Sequence, residues 1–351
     1  MDHPDAAAAP AAAPAASARH RPRVFSGMQP TSELLHVGNY VGALKHWVAG
    51  QHERDNVFCV VDLHALTIPE AVDPADLRAR SRSVAALYLA AGIDPEISIV
   101  FVQSHVPEHA EASWLLNCVA PLGWLQRMTQ FKSKTEGRAS IGSGLLTYPA
   151  LMAADILLHD TDEVPVGEDQ MQHVELTRDL AIRFHHLFGD VFVLPRAVVP
   201  AAGARIMAFD EPTAKMSKSM AAERPGHAVL LLDPPDVVRK TIMSAVTDSG
   251  RETRFEHASP GVRNLFTVWQ ALDGRPMAAL EAELEGKGYG DLKKRVVETV
   301  IAGLAPIQAR YRELMDDPAE LDTLLARGAQ RARATAARTL ARMKAAVGVG
   351  S

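Results

Sequence analysis

The sequence predicts an α/β protein: a Rossmann-like parallel sheet with helices on both faces, followed by a smaller all-helical domain. Three observations carry this. Residues 56–62 and 97–102 are nearly unbroken apolar runs of strand length, as expected of strands buried on both faces of a parallel sheet. Between them, residues 74–92 carry Leu77, Val84, Leu87 and Leu89 at helical spacing. From Asp233 onward strand signals vanish and only helical patterns remain.

A chain of 351 residues is long enough for two domains and a sizeable core. An apolar content of 47% indicates a globular protein. The net charge of −5 creates no global basic field, so a nucleic-acid partner must meet a local patch. Cys59 and Cys118 form no CxxC pair, which argues against disulfides and structural zinc and fits a reducing, cytoplasmic setting. No apolar run reaches the roughly 18 residues of a membrane span. Residues 1–20 are mostly Ala and Pro, without the basic start and apolar middle of a signal peptide, and read as a disordered tail outside the fold.

In chain order, residues 23–26 form a short strand that Gly27 is expected to end. Pro30 rules out its continuation, and Gly38 opens a helical pattern with Tyr40, Val41, Leu44 and Val48. Strand, polar turn, glycine and helix together present helix N-terminal amides to a phosphate. Gln29, His36 and Asn39 add side-chain donors; a plain connecting loop is the alternative. The GxGxxG pattern is missing, which weighs against a nicotinamide enzyme. The next two strands end in Asp62-Leu63-His64 and Gln103-Ser104-His105. Polar residues just past such strand ends line the ligand crevice of an open sheet. His64 and His105 are the candidates, with a loop-edge histidine the plainer reading of His105. Residues 108–131 read as helical, with Trp114 and Trp124 in packing roles. Lys132 and Lys134 follow, and the Gly-Ser-rich stretch 137–144 reads as a flexible cover over a site.

Residues 145–159 form an apolar helix in which Tyr148, Met152 and Asp155 share one face. A lone carboxylate there needs a donor, either an internal Arg or Lys or a ligand N–H. A strand at 162–166 then delivers Gly167, Glu168, Asp169 and Gln170 to the start of a helix at 171–184. Asp169 and Gln170 are placed for ribose hydroxyls or an ammonium, unless Asp169 only caps the helix. A further strand is expected at 190–194. After Gly203 comes Lys215-Met216-Ser217-Lys218-Ser219, with two ammonium groups, two hydroxyls and no carboxylate, and then Pro225-Gly226. That composition suits a loop meeting a polyphosphate whose charge grows as a bond breaks, with a solvated lysine turn as the alternative. Helices follow at 237–244, 262–272, 277–285 and 292–311. In the last, 317–347, Arg327, Arg331, Arg338 and Arg342 share a narrow arc, either a solvated face or a track for a nucleic-acid backbone.

Taken together these pieces resemble the class I aminoacyl-tRNA synthetases, and among them the bacterial tryptophanyl-tRNA synthetase family. The likeness runs from about Val24 to the C-terminus. It rests on Phe25-Ser26-Gly27-Met28-Gln29-Pro30, on His36-Val37-Gly38-Asn39 as the first signature, and on Thr147-Tyr148-Pro149 through Asp155. Residues 164–170 and 203–207 also match, and 215–219 match the second signature in full. Three features depart: Asn39 stands where many class I enzymes have His, the turn Thr31-Ser32-Glu33 is one residue longer than the family's commonest form, and Met220-Ala221 replaces an acidic-Pro pair.

The resemblance implies activation of L-tryptophan with ATP and transfer to tRNA(Trp). Tyrosyl-tRNA synthetase, or a tryptophan- and ATP-binding paralogue without tRNA charging, are the alternatives. It implies ATP contacts from Gln29, Pro30, Thr31, Gly38 and Asn39, with Gly167, Glu168 and Asp169 near the ribose and Ile206 at the adenine. Lys132, Lys134, Lys215 and Lys218 would meet the phosphates, within the loop that Met216, Ser217 and Ser219 complete. Asp155 would accept the indole N–H, and Tyr148 and Gln170 would hold the ammonium. Phe25, Gly27, His64, Met152, Val164 and Val166 would shape the pocket. Mg²⁺ is expected to arrive with ATP, with no tightly bound cofactor and no protein metal site. A homodimer without membrane attachment is implied. The division expected is a catalytic domain at 21–210 with a helical insertion at about 105–145, then signature loop and tRNA-binding helices at 211–351, the last helix packing back.

Overall fold

The computed structural model describes residues 21–30, 35–135, 140–167, 170–199 and 205–350, without the side chains of Ser133, Lys134, Lys218, Ser219 and Ala222. The tail 1–20, Thr31, Glu168, Asp169, Gly203 and residues 137–139 of the 137–144 cover therefore lie outside the described residues, as do the side chains of Lys134, Lys218 and Ser219.

Five parallel strands form one sheet, β1 (Arg23–Met28), β2 (Asp55–Val60), β3 (Ile99–Val102), β4 (Glu163–Pro165) and β5 (Arg196–Val198), in the order β3-β2-β1-β4-β5. The pleat sorts the apolar runs onto two cores. Val57, Cys59, Ile99 and Phe101 enter one, and Phe58, Val60, Val100 and Val102 enter the other. Between β1 and β2 run α1 (Val37–Asn39), a π-helical turn (Tyr40–Leu44) and α2 (Lys45–Gly50). After β2 come α3 (Asp62–Ala65) and α4 (Pro74–Ala90), which covers the second core. Then α5 (Glu108–Val119), α6 (Leu122–Gln126), α7 (Thr129–Thr135), α8 (Ser143–Leu157) and α9 (Met171–Phe188) follow β3 or β4. Of these α5, α8 and α9 cover the first core.

Three local expectations are corrected. β1 runs through Gly27 to Met28, because Gly27 pairs in register with Cys59 and a Cβ there would sit 3.1 Å from Val61. The helix expected at 108–131 is three helices, with Pro121 at the first break, and Lys132 lies inside the third. Residues 190–194 form no strand. Phe192 packs on Phe184 with ring centroids 5.0 Å apart, and its N–H donates to His185 Nε2 at 2.9 Å. Sheet pairing resumes only where Arg196 N–H donates to the Asp162 carbonyl.

Beyond the sheet lie α10 (Lys218–Glu223), α11 (Pro235–Met243), α12 (Pro260–Asp273), α13 (Met277–Glu283), α14 (Tyr289–Asp316) and α15 (Pro318–Val347). Trp269, Phe266, Val296 and Val300 build a third core, which also takes in Val37, Ile206 and Met216. α14 passes from this core at Ile307 to the sheet at Leu314, and α15 returns along the free edge of β3. At Gly328 the helix backbone meets the Val100 carbonyl so closely that a Cβ would overlap it. Arg331 donates to the carbonyls of Pro95, Ile97 and Ser98, Arg327 pairs with Glu96, and Arg342 pairs with Asp160 at 2.5 Å. Arg331 is thus turned onto the sheet domain, while Arg327 and Arg342, each paired with a carboxylate, and Arg338 remain exposed, so the arc is largely a solvated face. Among the described residues no helix is long and apolar enough to cross a membrane.

Because nothing at Gly328 can yield without moving backbone, Gly328→Ala should lower stability by about 3 kcal/mol. A urea titration checks this; an unchanged midpoint would contradict the seating of α15 on β3.

Candidate active site

The sheet order places a switch point between β1 and β4, where the chain leaves in opposite directions and a crevice opens at the strand C-termini. A cavity of about 700 Å³ lies there, within the usual range for a small-molecule site. Phe25, Gly27 and Gln29 line it from β1 and its exit, Tyr148, Met152 and Asp155 from α8, and His64 from α3. Val164, Val166, Gly167 and Gln170 close the far wall. Trp47, Gln130 and His173 also line it, and sequence reasoning missed them. Pro30 lines an adjoining cavity of about 350 Å³ with Gln29 and His64.

Asp155 is 1% exposed in the middle of an apolar helix. Its donors are neither Arg nor Lys. Gln103 Nε2 donates to Oδ1 at 2.6 Å, His109 Nδ1 lies 2.6 Å from the same oxygen, and His64 Nε2 lies 2.8 Å from Oδ2. Burial pushes the carboxyl pKa up, yet the hydrogen bonds from His109 and His64 outweigh it and hold the group at about 2. An ionised carboxylate is thus kept at the wall of an apolar cavity. Gln103, not His105, is the residue that the end of β3 brings to Asp155; His105 is exposed and does not line the cavity. Only its position at a strand end could have singled out Gln103. His109 stands on a helix start with no local signal at all.

Burial lifts the Tyr148 phenol to about 12, so its hydroxyl keeps its proton. The oxygen lies 2.8 Å from His173 Nε2 and 3.5 Å from Gln130 Oε1. These contacts tie the hydroxyl to the first turn of α9, and Gln170, which precedes that helix, lines the same cavity.

A second cluster forms at the start of α1. His36 N–H donates to Asn39 Oδ1 and Asn39 N–H donates to His36 Nδ1, both at 3.2 Å, a reciprocal cap. A Cβ on Gly38 would sit 3.0 Å from that His36 ring and 3.5 Å from Ile206 Cβ, so the glycine keeps this corner closely packed. Met207 bridges Lys215 in antiparallel fashion, and Asn264 pins Met207 through both backbone groups, at 2.8 and 2.9 Å. Met216 is buried and anchors the loop, while Lys215 is exposed and Ser217 caps α10 by accepting from Met220 N–H. His227 accepts the Ser217 N–H at 3.4 Å and lies 2.8 Å from Asp210. Gly38, Ile206, Lys215, Met216 and Ser217 are therefore brought together. Lys132 is exposed on α7, two residues past Gln130 of the cavity.

Residues 17–305 match the family described as tRNA synthetases class I (W and Y). The chain belongs to this family. The synthetase is 52% identical to a tryptophan–tRNA ligase of Leifsonia xyli, over 93% of this chain and 97% of that one. It is 49% identical to a tryptophan–tRNA ligase of Bacillus subtilis, over 93% and 98%. Among solved structures it resembles the tryptophanyl-tRNA synthetase of Campylobacter jejuni complexed with ADP and tryptophan, with a TM-score of 0.83, 35% identity and coverage of 93% and 100%.

The depressed pKa of Asp155 makes a signed statement about stability. Its contribution is complete above the ordinary aspartate range, about 3.9, and is lost as pH falls towards about 2. The gap in unfolding free energy between the synthetase and Asp155→Asn should therefore narrow from about pH 5 to about pH 3. Denaturant titrations at each pH measure it; a constant gap would contradict an ionised group.

Proposed function

We propose that this chain is a tryptophan–tRNA ligase. It activates L-tryptophan with ATP to tryptophanyl-adenylate and pyrophosphate, then transfers tryptophan to the 3′ end of tRNA(Trp). The observation that carries this is the ionised Asp155 at the wall of an apolar cavity. Tryptophan alone among standard residues joins a large flat apolar body to a ring N–H. Phenylalanine would leave the buried acceptor unmet, at a cost of about 1–3 kcal/mol or more for a charged group. Tyrosine is excluded by shape as much as by bonding.

In this reading Phe25, Gly27, His64, Met152, Val164 and Val166 form the slot, and Tyr148 and Gln170 take the ammonium. Gln29, Pro30, Thr31, Gly38 and Asn39 receive ATP, with Gly167, Glu168 and Asp169 at the ribose and Ile206 at the adenine. The tryptophan carboxylate attacks the α-phosphorus in line, a bond to phosphorus forms, and pyrophosphate leaves. Lys132, Lys134, Lys215 and Lys218 neutralise its charge, while Met216, Ser217 and Ser219 shape the loop that carries the latter pair. No side chain becomes covalently attached. Among the described residues no group of three or more His, Cys, Asp or Glu side chains is set to hold a metal. In this reading Mg²⁺ arrives with the nucleotide phosphates, where it would neutralise charge. The division at about residue 210, with the later helices receiving tRNA, and a two-chain assembly belong to the same proposal.

ATP–pyrophosphate exchange should depend on tryptophan and not on tyrosine, and the protein should charge tRNA(Trp). Exchange driven by tyrosine, or tryptophan activation without charging, would refute the assignment. Lys215→Ala should slow adenylate formation by about a hundredfold while tryptophan affinity changes little. Equal effects on both would remove Lys215 from the transition state.

A further inference from the structure

Two fully buried side chains touch Asp155 without lining the cavity. Gln103 and His109 both contact Oδ1, and both are wholly shielded from solvent. His64, which does line the cavity, holds Oδ2. A carboxylate offers about four acceptor directions, two on each oxygen. Oδ1 is therefore filled. Among the described residues Oδ2 has one partner, His64, and both Asp155 and His64 line the cavity. We infer that Gln103 and His109 are positioning residues for amino-acid selection: by filling Oδ1 they fix the carboxylate plane and point the remaining Oδ2 lone pair at the indole N–H. The inference rests on reading the cavity as the tryptophan site.

Neither donor is free to turn away. Leu63 N–H donates to Gln103 Oε1 at 3.1 Å, so the amide can present only its NH₂ to Asp155. His109 lies against the Phe101 ring, centroids 5.7 Å apart, and its Nδ1 must carry the proton that faces the carboxylate. Its Nε2 lies 3.3 Å from His159 Nε2. Burial lowers the His159 pKa far below the usual imidazole value, so that ring is neutral and has one N–H to give. His159 in turn stacks on Phe25 at 5.7 Å and 11°, and Phe25 lines the cavity. The clamp therefore starts and ends on cavity walls. Without an Oδ1 donor the carboxylate is free to tilt, and the hydrogen bond that weakens first is the one it aims across the cavity.

The test is ATP–pyrophosphate exchange with L-tryptophan and with β-(3-benzothienyl)-L-alanine, in which sulfur replaces the ring N–H. The unaltered protein should strongly prefer tryptophan. His109→Leu should reduce that preference about tenfold, through KM for tryptophan, with kcat and KM for ATP changing less than about threefold. His109→Asn, whose amide nitrogen takes the place of Nδ1, should restore most of it. Equal losses with both amino acids, or an unchanged preference, would overturn the inference and leave His109 a packing residue. Should His109→Leu fail to melt cooperatively, Gln103→Met removes the other Oδ1 donor and should erode the preference in the same way; an intact preference there overturns the inference equally. If the unaltered protein shows no preference for the N–H-bearing amino acid, the tryptophan reading itself fails, whatever the variants do.

Discussion

Keeping a carboxylate ionised beside Ala153, Ile156 and Leu157 requires that each neighbouring element bring a donor, because an unpaired buried charge costs several kcal/mol. The parallel sheet supplies them by geometry. All strands end on the same side, so the exit of β2 carries His64 and the exit of β3 carries Gln103 to one place. The start of α5 adds His109, and α8 crosses in front with the acid itself. The switch point at β1 and β4 then leaves a hollow beside this polar knot. An apolar hollow with one fixed acceptor at its wall is a device for choosing a ligand by a single hydrogen bond.

In the proposed reading, charge handling is kept apart from selection. The cationic loop grows from the third core, where Met216 and Ile206 pack with Trp269 and its neighbours. Asn264 replaces a strand partner for Met207, and Lys45 Nζ donates to the Ala271 carbonyl at 2.6 Å, tying α2 to α12. The C-terminal helices therefore hold the loop root while Lys215 stays in solvent. A rigid root under an exposed cation lowers the reorganisation needed when negative charge builds on a leaving group.

Much of this is written in local pattern. The apolar runs of β2 and β3, the periodicity of α4 and α8, and the five closing helices all follow from run length and spacing. Asp155 stands out because a charge interrupts an apolar face. Its partners do not, since Gln103 and His109 lie 52 and 46 positions away and neither is unusual where it sits. The C-terminal end of β1 and the absence of a strand at 190–194 were set by pairing with distant strands and by Phe192 entering the core, which override local preference. The arginine arc on α15 was legible as an arc. Periodicity cannot tell that one of them, Arg331, reaches inward to carbonyls 233 or more positions earlier.

The seat of α15 on β3 bears on how the chain is made. Synthesis runs from the N-terminus, and the 30-residue helix that covers this strand is made after every strand of the sheet. Until then the nascent sheet carries a bare row of amides and carbonyls along β3, able to pair with a strand of another chain. A messenger cut short before Gly328 would thus yield a sticky product rather than a merely weaker enzyme.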